Sequence, residues 1–439
     1  MSKKYFILGI LMAVVLLFSG CAMNAVTDYY CLPMRSEEYT NLQSLIQSAM
    51  TSSEYSAPVS GDNQQTVQSA DLDGDGIEEY LLFAKDSTDR PLKIYIFSGD
   101  GTKYDLIDTI ESTGSAHDRV EYIQMDDKAG YEIVVGRQVS DQVVRSVSVY
   151  TMVQGQVEQI MSTGYSEFLT CDLDGNGFSD VFVLRPGESG IGTAALYSIV
   201  NGTVERSHEV SMSEPADNIN RIMFGYLADG VRAVYVASAV TGSSGIITDV
   251  YAVTNGQLSN VTFSNESGTS VQTLRNHYVY ADDIDNDGIL ELPSLISMPT
   301  IEGGASSEQR YIIRWYAMTS NGEEVDKMYT FHNFVSGWYV ELDSSLIRDL
   351  TVEQKGSSYE FGIWDETDEQ VKKLMTIYVL TGQKREEQAI TDNRFILYRT
   401  ESTIYSGRLD VNSANFGMNQ DTLISAFHLI LQDWKTGET

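Results

Sequence analysis

Asp71-Leu72-Asp73-Gly74-Asp75-Gly76-Ile77-Glu78-Glu79 decides how this chain is read, because it returns twice. The second copy is Asp172-Leu173-Asp174-Gly175-Asn176-Gly177-Phe178-Ser179-Asp180, and the third is Asp283-Ile284-Asp285-Asn286-Asp287-Gly288-Ile289-Leu290-Glu291. Two decayed copies lie in the gaps: Met125-Asp126-Asp127-Lys128-Ala129-Gly130-Tyr131-Glu132 and Tyr226-Leu227-Ala228-Asp229-Gly230. Together they set a repeat of roughly 53 residues, a period that belongs to stacked or radially arranged units. A second ladder keeps step with the first. Alternating apolar segments flank a glycine at Gly101, Gly155, Gly202, Gly256 and Gly322, as two strands joined by a tight turn require. Each unit therefore reads as strand, acidic loop, strand, longer loop, hairpin. In the first unit the strands are expected over residues 66–70, 80–84, 92–97 and 104–109. Four short antiparallel strands per period describe a propeller blade.

The acidic loops carry the chemistry. A hard cation such as Ca2+ takes six to eight oxygens at flexible distances, preferably charged ones. Alternate residues of a tight loop converge, so the expected ligands of the first loop are Asp71, Asp73, Asp75, the Ile77 carbonyl and Glu79. By the same offsets the second loop offers Asp172, Asp174, Asn176, the Phe178 carbonyl and Asp180. The third offers Asp283, Asp285, Asp287, the Ile289 carbonyl and Glu291. An EF-hand starts similarly but needs a Glu at position twelve, where this chain has Leu82, Val183 and Ser294. The bland alternative is a metal-free Asx turn, since Asp and Gly favour turns anyway. Mg2+ fits less well because it demands octahedral geometry. The decayed loops lack enough acids for a metal, and Lys128 can supply the positive charge in the second.

The three intact loops resemble the calcium loop of FG-GAP or VCBS-type repeats, known from integrin alpha-chain propellers and bacterial surface proteins. The resemblance covers about residues 64–343. It implies a mainly β fold, a β-propeller of four-stranded blades holding about three structural Ca2+ ions. Five copies are visible where such propellers usually have seven blades. The resemblance further implies that a protein or glycan ligand would bind the face away from the calcium loops. The longer loops at about residues 85–91, 137–145, 185–193, 238–248 and 297–309 fall on that face; merely solvated loops are the plain alternative.

The ends read differently. Lys3 and Lys4, the apolar run from Tyr5 to Phe18 and then Ser19-Gly20 have the order of a secretory signal. Leu17-Phe18-Ser19-Gly20-Cys21 resembles the bacterial lipoprotein box, with Phe18 where that family prefers Leu. It implies lipidation of Cys21 and a mature chain held on the extracytoplasmic face of the bacterial cell membrane. An uncleaved anchor or an ordinary signal cut elsewhere are the alternatives. Cys31 and Cys171 could pair, but Cys171 lies in an apolar strand where a buried thiol is commoner. The expected organisation is signal peptide over 1–20, tether and short helix over 21–60, propeller over 61–336 and a small C-terminal α+β domain over 337–439. Helices are expected over 37–50 and, capped by Asn419, over 419–434.

Composition bounds the function. With 42% hydrophobic and 21% charged residues the chain is globular. A net charge of −33 excludes nucleic acid and anionic lipid headgroups as natural partners. The five histidines show no metal-ligand spacing, and no nucleophile motif, Walker loop or HExxH occurs. The expected function is thus a non-enzymatic binding or scaffold module. The alternative is a carbohydrate-active enzyme, polysaccharide lyase or glycosidase-like, working at the propeller centre.

Overall fold

The computed structural model of the protein describes residues 37–139, 145–277, 279–299, 310–365, 367 and 369–430. The signal segment, Cys21, Cys31 and much of the loops at 137–145 and 297–309 lie outside them. Among the described residues no helix is long and apolar enough to cross a membrane.

The chain is mainly β, and its described residues form six antiparallel sheets, hydrogen-bonded neighbour to neighbour. Sheet 1 is Val67–Ala70, Glu79–Lys85, Leu92–Gly99 and Tyr104–Ser112, with the short Glu54–Tyr55 added at Ala84 and Lys85. Sheet 2 is Ala116–Ile123, Glu132–Gln138, Arg145–Val153 and Gln156–Tyr165. Sheet 3 is Glu167–Cys171, Asp180–Pro186, Gly192–Val200 and Thr203–Arg206, plus Val210–Ser211. Sheet 4 is Ile219–Tyr226, Arg232–Ala239, Ile246–Thr254 and Gln257–Asn260. Sheet 5 is Glu291–Ser297, Tyr311–Met318, Glu324–Asn333, Trp338–Glu341 and the returning Phe427–Leu429. Sheet 6 orders Leu350–Lys355, Ser358–Asp365, Gln370–Thr381, Thr403–Leu409 and Phe395–Arg399.

The sequence explains the middle strands. Glu79–Lys85 and Asp180–Pro186 are near-continuous apolar runs and are buried on both faces. The outer strand Gln156–Tyr165 is mixed in composition and mostly exposed. The expected hairpins form, and their turns show why glycine recurs. Gln154-Gly155, Asn201-Gly202 and Asn255-Gly256 all have positive φ at both positions, the geometry that matches the twist of the flanking strands.

Two compact units divide the chain. In the first, helix α1 (Glu37–Ala49) lays Leu42, Leu45 and Ile46 on Leu82, Phe97 and Tyr104 of sheet 1. Asn41 Oδ1 accepts the Tyr104 N–H at 2.6 Å and fixes the helix along the strand. In the second unit each sheet shares an apolar core with the next. Val134 and Val149 meet Val181 and Val183; Phe182 and Leu196 meet Val236 and Tyr251; Tyr235 and Val250 meet Leu292 and Tyr316. Phe331 and Trp338 meet Phe361 and Leu374 in the same way.

This last core bears on the C-terminal expectation. Residues 350–409 form a whole sheet packed on sheet 5, with few helical residues, and 114–439 belong to one compact unit. The expected terminal helix is short. Asn419 caps it through a reciprocal pair with Thr422, but the helix stops at Ala426. Phe427 turns extended, pairs with Val340 and stacks its ring on Trp338 at 5.7 Å. Burial of that ring overrides the helical periodicity that carries on past it in the sequence.

His332 is buried in the same region, stacked on Tyr339 at 4.9 Å. Burial pushes its imidazole down to about 3. The unfolded chain therefore binds the extra proton first, and stability is lost as pH falls below about 6.5. The expected slope is up to about 1.4 kcal/mol per pH unit from this residue. Urea titrations between pH 7 and pH 4 should show a flatter decline in His332→Leu than in the parent.

Candidate metal centres

Each acidic loop leads into a buried strand, joining it to a preceding strand in sheets 1 to 4 and following the single bridge Asp282–Glu291 in sheet 5, and the same residue pattern holds it. The second position is an apolar anchor: Leu72, Met125, Leu173, Leu227 and Ile284 are all buried. The ninth position opens the second strand with a buried carboxylate: Glu79, Glu132, Asp180 and Glu291. Between anchor and strand the loop is mostly exposed. First-position carboxylates tie it off. Gly76 N, Gly177 N and Gly288 N donate to Asp71 Oδ2, Asp172 Oδ2 and Asp283 Oδ2 at 3.0, 3.0 and 2.9 Å.

Three acid triads result. Asp71, Asp73 and Glu79 form one, Asp172, Asp174 and Asp180 the second, and Asp283, Asp285 and Glu291 the third. Within each, one carboxylate oxygen per residue lies within 4.8 Å of the others, close enough to share a metal ion. Positions one, three and nine are thus brought together. The fifth-position side chains do other work here. Asp75 Oδ1, Asn176 Oδ1 and Asp287 Oδ1 accept the N–H of Ile77, Phe178 and Ile289 at 2.7, 2.7 and 2.9 Å, as Asx turns.

The ninth carboxylates feel their burial. It pushes Asp180 up to about 6, with Asp174 nearby adding to the rise. Glu291 is pushed up to about 7 by burial, then by Asp285 and Asp287. A cation in the loop would relieve both causes. Support for these carboxylates comes from the third strand. Ser98 Oγ donates to Glu79 Oε1 at 3.0 Å, Thr151 Oγ1 donates to Glu132 Oε1 at 3.2 Å, and Ser198 bonds Asp180. In sheet 5 the paired residue is Ala317, which has no hydroxyl. Glu291 Oε1 is accordingly buried without a hydrogen-bond partner. Its third-loop site fits a metal on that ground, since a buried carboxylate oxygen without a hydrogen-bond partner among the described residues faces Asp283 and Asp285, with the Lys327 ammonium 4.0 Å away. Ala317→Ser should stabilise the metal-free protein by about 1 kcal/mol, read as a raised melting temperature in chelator.

The first decayed loop shows the same architecture with a protein cation. Lys128 stands at the fifth position of its loop and its ammonium pairs with Asp126 at 2.8 Å, while Glu132 Oε2 accepts the Met125 N–H at 2.9 Å. In the other decayed loop Arg232 opens the strand and reaches Asp172 Oδ2 of the neighbouring loop at 3.3 Å. Asp229 there accepts from Ser320 N at 3.0 Å and from its hydroxyl at 2.6 Å. Loops of consecutive sheets also touch through backbone: Ser179 N donates to Gln124 O at 2.8 Å and Leu290 N to Tyr226 O at 3.1 Å.

Sequence reasoning missed Lys327. Its ammonium contacts Asp287 and lies 3.8 Å from Asp285 and 4.0 Å from Glu291 Oε1. Nothing local marks it, because it comes from a hairpin well downstream of the loop. Cys171 is a buried free thiol, as its apolar strand implied, and burial pushes it up to about 12.

No family model matches the chain, and no curated protein matches it in sequence. Similar solved structures include the exotype rhamnogalacturonan lyase YesX, 13% identical over 73% of this chain and 67% of that one, with a TM-score of 0.25. Rhamnogalacturonan lyase YesW is 12% identical over 71% of this chain and 54% of its own, at 0.31. The Bacillus licheniformis rhamnogalacturonan lyase PL11 is 13% identical over 70% and 60%, also at 0.31. The chain spans from just over half to two thirds of the length of these lyases.

Proposed function

We propose that this chain is an extracytoplasmic, lipid-anchored binding or scaffold module without catalytic activity. Its sheets would form an FG-GAP/VCBS-like propeller stiffened by Ca2+ at three loops. The observation that carries the reading is the repeated acid triad at one place in three sheets, with Lys128 supplying the charge at the matching place in a fourth. A cation at that place, a metal in three loops and an ammonium in the fourth, would offset the gathered carboxylates. Carboxylate oxygens, flexible spacing and exposure to solvent suit Ca2+ better than Zn2+ or Mg2+. The anchor rests on the sequence around Cys21 alone.

At the third loop a protein cation, Lys327, would compete with the metal, as Arg232 would at Asp172 of the second. Lys327→Met is expected to raise calcium affinity at the third loop by about tenfold, the worth of a charge-assisted hydrogen bond. Calorimetric titration of parent and variant reads it directly. The function itself is tested by incubating the calcium-loaded protein with a panel of polysaccharides and cell-wall fragments. Binding without product release supports the module. Release of new reducing or unsaturated ends would assign the chain to the carbohydrate-active alternative.

A further inference from the structure

The second strands of sheets 1, 2 and 3 open on an acid. Each acid pairs with the last residue of the strand before it: Glu79 with Ala70, Glu132 with Ile123 and Asp180 with Cys171. Sheet 4 reverses the charge at this place, for its second strand opens on Arg232, paired with Tyr226. The loop between them closes on itself, as Leu227 N donates to Val231 O and Gly230 N to Leu227 O, both at 2.8 Å.

The Arg232 guanidinium reaches the second acidic loop, in the neighbouring sheet. Its Nη2 lies 3.3 Å from Asp172 Oδ2. Its Nη1 lies so near the loop backbone that a Cβ at Gly175 would stand 2.7 Å from it. Lys128 belongs to its own loop and Lys327 to the sheet that its loop enters, whereas this cation crosses from one sheet to the next. Asp172 is otherwise engaged by backbone: Oδ1 accepts Gly175 N at 2.9 Å and Oδ2 accepts Gly177 N at 3.0 Å. A metal held by Asp172, Asp174 and Asp180 draws on the same carboxylate, and its double charge repels a guanidinium beside it. The Arg232 and Asp172 side chains are 34% and 20% exposed, so solvent screens their ion pair and leaves it weak enough to yield.

We infer that Arg232 is a calcium-sensitive tie between sheets 3 and 4: it serves as the cation of the second loop while metal is absent, and calcium displaces it. The inference deepens the calcium reading above and rests on it. Coupling of this kind is reciprocal. If Arg232 weakens calcium binding at the second loop, calcium weakens the Arg232–Asp172 contact by the same factor. The stabilising effect of Arg232 therefore belongs to the metal-free protein, and it disappears when calcium saturates the loop.

The test is to melt the full chain and its Arg232→Met variant in EGTA and in saturating Ca2+, and to titrate both with Ca2+ by calorimetry. Methionine keeps an apolar stem and removes the charge. The variant should melt about 1 °C below the parent in EGTA and together with it in saturating Ca2+. Calcium should bind about three- to fivefold more tightly at one site, with the other two unaltered. Arg232→Gln should give the same pattern, and neither change should alter the EGTA melt of Asp172→Asn, where the partner is already gone. A melting temperature lowered equally in both conditions would make Arg232 a plain structural tie and overturn the inference. An unaltered calcium affinity would overturn it too, and both results would leave the calcium reading in place. A parent chain whose melt ignores Ca2+ would remove that reading, and the inference with it.

Discussion

Adding EGTA to the calcium-loaded protein will lower its melting temperature by several degrees. Each triad gathers three carboxylates whose oxygens lie within 4.8 Å, one of them buried. Without a cation those groups repel, and burial together with the neighbouring acids pushes Asp180 and Glu291 upward. Ligand linkage gives about 2.7 kcal/mol per site at a hundredfold excess of ion over its dissociation constant. In a chain of this size each kcal/mol moves the transition by about 1–2 °C. Scanning calorimetry with Ca2+, with Mg2+ and with EGTA measures it. Ca2+ should stabilise most, and Mg2+ should restore only part of the loss. Coincident melts under all three conditions would remove the metal from the account and leave three acidic Asx turns.

Trp338→Ala will destabilise the second compact unit by about 3–5 kcal/mol, the cost of deleting a large buried aromatic. Trp338 is fully buried between sheets 5 and 6. It stacks on Phe427 at 5.7 Å and meets Tyr359 edge-on at 5.2 Å. Among the described residues its indole N–H has no hydrogen-bond partner, and its contribution is argued from packing. The effect should reach well beyond residues 337–439, because the same core holds Ile312 and Phe331 of sheet 5. Urea unfolding followed by tryptophan fluorescence and by far-UV circular dichroism should give coincident, shifted transitions. Two separated transitions, one unchanged from the parent, would mean that the C-terminal segment folds as a domain of its own.

Much of this was legible because the repeat is written twice, once in acids and once in turn glycines. The first unit's strands fall within a few residues of their expected ends, since apolar runs and Gly turns bound them on both sides. Positions one, three and nine of the loops were also legible, for they are the acids that recur at fixed offsets. Two kinds of feature were not. Lys327 and Ala317 act across a strand pairing, and a contact of that range leaves no local spacing to read. The sequence of the C-terminal sheet contains no such acidic loop, so the marker that identified the other sheets was absent. The helix expected over 419–434 illustrates the same limit: its period is genuine up to Ala426, after which the pull of the Trp338 core decides.

The central claim is that three loops each hold one calcium ion. Native mass spectrometry of the protein, exchanged into a volatile buffer with calcium and then with chelator, counts them directly. The account predicts three bound ions in the parent, two when Asp172 and Asp174 are both replaced by Ala, and unaltered counts when Asp126 of the lysine-filled loop is replaced. A parent chain that carries no calcium at concentrations that saturate ordinary extracellular sites would contradict it.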